Sequence, residues 1–99
     1  MIDIDEAIRI VTTTISSIGR DFEGGVAINH RYTRKMPYGW IFFYNARAYL
    51  DGGDRLRMLV GNGPIVVLAS NGEVVILGTA RGLDDEISAF EESRELRRG

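Results

Sequence analysis

The sequence predicts an α+β domain in which a four-stranded antiparallel sheet is flanked by an N-terminal and a C-terminal helix, in the order α-β-β-β-β-α. Three observations lead there. Apolar residues recur at helical spacing near both ends of the chain; the middle is built of short alternating or apolar stretches of strand length; and an Asn-Gly pair separates the last two of those stretches.

The first helix rests on Ile4, Ile8, Val11, Ile15 and Ile18, one apolar stripe from residue 4 to residue 18. Asp3 followed by Glu6 has the form of an N-terminal cap, and Gly19 is a natural stop. The Thr12-Thr13-Thr14 run has weak helical preference, so packing must hold that turn. After Gly24-Gly25, Val26, Ile28, His30 and Tyr32 alternate with Ala27, Asn29, Arg31 and Thr33, the period of a strand with one wetter face. Met36-Pro37-Tyr38-Gly39 then reverses the chain. Trp40-Ile41-Phe42-Phe43-Tyr44 is apolar on both faces and belongs in the middle of a sheet. Residues 45–50 read as a short helical turn, and Asp51-Gly52-Gly53-Asp54 as a loop. Residues 65–69 and 73–77 are β-branched runs joined by Ser70-Asn71-Gly72, a strong hairpin signal. Leu83, Ile87 and Phe90 mark the last helix, with Asp84 and Asp85 near its positive end and Arg94, Arg97 and Arg98 near its negative end.

With 99 residues and no internal repeat or linker, the chain reads as a single domain over residues 1–99, long enough for one core. The lack of cysteine excludes a disulfide framework and a thiolate metal site. The acidic start, where a secretory leader would be basic, and the lack of an apolar run of about 18 residues predict a cytoplasmic protein without a membrane span. The net charge of -2 argues against nucleic acid as the main partner. Among the cations are eleven arginines and the single Lys35, a skew better matched to base composition than to a function.

Catalytic equipment is sparse. The only histidine, His30, falls mid-strand with no nucleophile beside it, so no catalytic residue is assigned. No metal or cofactor is expected: zinc would need cysteines or several histidines, and Asp51 with Asp54 lacks the graded spacing of a calcium loop and reads as a solvated turn. Gly61-Asn62-Gly63-Pro64 differs from a phosphate loop in having no Lys-Ser or Lys-Thr after it, in losing an amide donor at Pro64, and in leading to a strand. His30, Arg31, Arg34 and Lys35, interleaved with Tyr32 and Tyr38, are divided between two strand faces and form no single basic stripe. Asp84, Asp85, Glu86, Glu91, Glu92 and Glu95 predict an acidic exterior on the last helix.

Between Gly39 and Ala80 lie three linked signatures. Gly39-Trp40-Ile41-Phe42-Phe43 leads to Ala46-Arg47-Ala48-Tyr49; Gly61-Asn62-Gly63-Pro64-Ile65 follows; Leu77-Gly78-Thr79-Ala80 closes the series. In this order and spacing they resemble the YrhB-like domain, also called the immunity protein 35 family. The resemblance implies a bacterial, cytoplasmic binding protein that neutralises a cognate toxin by direct contact, and a chaperone-like holdase as the alternative. It carries no catalytic residues. An enzyme, the third reading, would need carboxylates converging in a pocket. Where the family tends to show proline and then tyrosine before and within the last helix, this chain has Arg81-Gly82 and Glu86. The polar and aromatic members singled out for partner contact or for tying connections together are Arg47, Tyr49, Asp51, Asp54, Asn62 and Thr79.

Overall fold

A computed structural model describes residues 1–20, 24–59 and 62–96. Gly61, Arg97 and Arg98 of the motifs above lie outside the described residues. Helix α1 spans Ile4–Ile18, the stretch that the apolar stripe predicts, and the Asp3 carboxylate caps it by accepting the Glu6 amide at 2.9 Å. Thr12, Thr13 and Thr14 donate their hydroxyls to the carbonyls of Ile8, Ile10's neighbour Arg9, and Ile10, so the weak run is satisfied inside the helix. Its buried face is Ala7, Val11 and Ile15.

The sheet region holds six short strands: β1 Val26–Ile28, β2 Arg34–Met36, β3 Gly39–Phe42, β4 Tyr44–Ala46, β5 Ile65–Leu68 and β6 Val74–Ile76. They form an antiparallel pair β1-β4 and an antiparallel sheet β2-β3-β5-β6, where the sequence predicted one sheet of four. The difference has a local cause. β4 follows β3 after Phe43 alone, and Asn29 donates its amide to the Phe43 carbonyl at 2.7 Å, so both ladders belong to one bent hairpin. Its arms are unequal: six residue steps from Ile28 to Arg34 face three from Tyr44 to Ile41. The 3-10 turn His30–Tyr32 takes up the surplus. Past Ile28 the alternation offers His30 and Tyr32, both exposed, and nothing apolar holds this stretch to the sheet.

β3 and β5 are buried along their whole length and divide their side chains between two cores. Trp40 stands opposite Val67 and Phe42 opposite Ile65 on the α1 face, packed with Ala7, Val11 and Ile15. Ile41 stands opposite Val66 on the other face, where Ile87 and Phe90 of helix α3, Leu83–Ser93, cover them. The result is three layers, helix on sheet on helix, with the period-2 alternation of each strand feeding both cores.

The acidic exterior expected of α3 is only partly there. Glu86 and Glu91 are each 8% exposed and turn inward. Tyr38 donates its hydroxyl to Glu91 at 2.6 Å, and Arg81 donates to Glu86 at 2.9 Å. At the far end of the helix Arg94 makes a two-pronged contact with Glu73, at 3.1 and 2.7 Å. Its guanidinium holds the Glu73 carboxyl below the ordinary carboxylate range. A depressed carboxyl stabilises the fold above its unfolded value of about 4.3, and the contribution fades as pH falls through the lower native value. In urea melts across acid pH, Glu73→Gln is therefore expected to be less stable than the parent near neutrality and to converge with it at low pH. A constant gap would contradict this.

Candidate functional site

Four of the six singled-out residues gather on one short segment. Helix α2, Arg47–Gly52, starts where β4 ends, and the Arg47 amide donates to the Gly25 carbonyl at 3.0 Å, which pins the first turn to the start of β1. This helix lies two residues beyond the turn expected at 45–50, because Asn45 and Ala46 still pair with β1. Gly53 ends it in the left-handed region at φ 69°, with its amide on the Tyr49 carbonyl at 2.8 Å. Asp54 then caps the 3-10 turn Arg55–Arg57 by accepting the Leu56 amide at 3.1 Å. Among the described residues no group of three or more His, Asp or Glu side chains is placed to hold a metal ion.

Arg47 and Asp51 line a hollow of about 390 Å³ together with Thr12 and Ser16 of α1 and the length of β1. Tyr49 lines a second, of about 530 Å³, with Arg31, Tyr32 and Arg55. Both hollows are lined in part by Asn29 and Leu50, so they adjoin at the end of β1 and make up a grooved surface beside that strand. A further hollow shares Ser16, Val26 and Arg47 with the first and is also lined by Arg20. The arginines outnumber the carboxylates on the walls of these hollows, where Asp51 is the single acid among the described lining residues.

Asn62 and Thr79 lie elsewhere. Asn62 donates its side-chain amide to the Tyr44 carbonyl at 2.7 Å, fastening the approach to β5 onto β4. Thr79 is exposed in the connection from β6 to α3 and makes no side-chain hydrogen bond among the described residues. Asn45, which was not singled out, does more: its carbonyl accepts the amides of Ala46 and Leu59, and its NH2 donates to the Leu59 carbonyl. A polar residue beside an apolar central strand was the available signal. Replacing Asn62 by alanine leaves the half-buried Tyr44 carbonyl without this donor, and a loss of about 1–2 kcal/mol is expected in denaturant melts.

Sequence reasoning passed over Leu56 and weighed Tyr32 only as part of the basic patch around His30 to Lys35. Tyr32 is 57% exposed on the 3-10 turn at the groove, and Leu56 is 98% exposed in the turn after α2. An apolar residue inside a charged loop was legible as Leu56; Tyr32 was hidden by its place in an apparent strand.

The immunity protein 35 family model matches residues 5–92. The chain is similar to the uncharacterized protein YrhB of Escherichia coli strain K12, with 38% identity over 57 residues, which is 58% of this chain and 61% of the relative. The chain thus spans about three-fifths of that relative's length. No solved structure matches. No helix among the described residues is long and apolar enough to cross a membrane.

Proposed function

Because the chain belongs to the immunity protein 35 family, we propose that it neutralises a cognate bacterial toxin in the cytoplasm by binding it directly, one protein to one, without catalysis. The family match over residues 5–92 carries the reading. The groove beside β1 supplies what binding needs: an exposed aromatic, Tyr32, a half-buried one, Tyr49, and a cationic rim that can steer an acidic surface into register. Arg47, Tyr49 and Asp51 are the singled-out residues assigned to contact, while Asn62 belongs to the scaffold. Among the described residues the large exposed apolar side chains are spread over several elements, with Met1 and Ile4 at the start of α1, Ile18 at its end, Tyr32 on the 3-10 turn after β1, Leu56 and Met58 about the turn after α2, and Ile76 on β6, which favours a specific partner over a holdase.

The test is protection in cells. A toxin gene is expected beside this one, its expression to arrest growth, and co-expression of the chain to restore it. Arg31→Glu with Arg47→Glu is expected to abolish protection while the variant remains folded by circular dichroism. Protection by the chain against unrelated heat-aggregating clients, with none against the toxin, would support the holdase instead.

A further inference from the structure

We propose that the groove beside β1 captures an extended acidic segment of the partner by strand addition, the segment pairing with the edge of β1 that points away from β4. The inference rests on the binding reading above and adds the mode of recognition and the chemistry of the bound segment.

The backbone supplies the first argument. Gly25 accepts from Arg47, and Asn29 donates to Phe43, so the odd-numbered positions of β1 face β4. By the alternation of an antiparallel ladder, the N–H and C=O of Val26 and Ile28 then point away from β4. Among the described residues no strand pairs with that side. Val26 and Ile28 keep their side chains buried in the core, which holds the edge in place as a ready template.

The second argument is the setting. An unpaired edge on open sheet is merely solvated, whereas β1 borders adjoining hollows whose described walls carry Arg20, Arg47, Arg31 and Arg55. Among the described lining residues four arginines stand against Asp51, a balance that favours a negatively charged occupant. A second copy of this chain is disfavoured, because pairing two β1 edges about a twofold axis would bring the arginines of one groove against those of the other. The edges of β2 and β6 differ: Lys35 and Trp40 share a hollow with Ile4 beside β2, and Ile76 stands exposed on β6. Neither combines a cationic groove with buried anchors.

The experiment titrates the whole chain, labelled with 15N, with an end-blocked octapeptide of alternating Glu and Val, and separately with its Lys-Val counterpart. The acidic peptide is expected to shift the Val26 and Ile28 amides and slow their exchange with solvent, and Arg31→Glu with Arg47→Glu to weaken its affinity at least tenfold. Equal binding of both peptides, shifts confined to β2 or β6, or no shift at millimolar peptide would overturn strand addition. Toxin protection that survives while the peptide fails would remove this mode of recognition and leave the immunity reading standing. Loss of protection alongside a positive titration would do the reverse.

Discussion

Gly63→Ala is expected to destabilise the protein by about 3 kcal/mol or more, the upper end of what overpacking costs. A Cβ at Gly63 would lie 1.7 Å from the Leu77 carbonyl oxygen and 2.8 Å from its carbon. Both are backbone atoms and cannot rotate aside. Leu77 in turn donates its amide to Pro64 at 2.9 Å, so the two segments cannot separate without losing the bond that extends β5 against β6. At roughly 4–8 °C per kcal/mol for a domain of this size, the melting temperature should fall by more than about 12 °C. Gly52→Ala is the matched control: nothing lies within 4 Å of a Cβ there, and it should be close to neutral. Similar melts for the two variants would contradict the close approach. The glycine of the family signature is thus explained by backbone packing, with no phosphate required.

Phe42→Ala is expected to cost about 3–5 kcal/mol, a large part of the stability of a small domain. Phe42 is fully buried in β3 and packs in the core shared by α1, β1 and the central strands. Its neighbour Ile41 is equally buried but faces α3. Native-state hydrogen exchange separates the two: Phe42→Ala should lower protection most in α1, and Ile41→Ala most in α3. Loss of protection spread evenly over both helices by either variant would contradict the division into two cores.

The helices and the central strands were legible because their signals are long or redundant. Five apolar residues and a cap mark α1, and the observed Ile4–Ile18 coincides with them. Ile65 to Ile76 gave a hairpin through Asn71-Gly72, and Gly72 does take a left-handed φ of 75°. The break in the first strand was not legible, because alternation counts His30 and Tyr32 as face residues and contains no term for the unequal arms of a bent hairpin. Nor was the inward turn of Glu86 and Glu91. Helical position alone places them beside the apolar stripe, and the partners that help make burial tolerable, Arg81 from the connection before α3 and Tyr38 from the turn between β2 and β3, are set by the fold. The site was partly visible. Arg47, Tyr49 and Asp51 came from one sequence segment, whereas Arg31, Tyr32 and the edge of β1 reach the same groove only through the pairing of β1 with β4.

Direct titration of purified toxin with the purified chain tests the central claim most directly. Residual toxin activity should fall in a straight line to zero at one equivalent, with a complex of equal stoichiometry recovered by size exclusion. Inhibition that continues to rise well beyond one equivalent, or that is complete at catalytic amounts of the chain, would contradict neutralisation by stoichiometric binding.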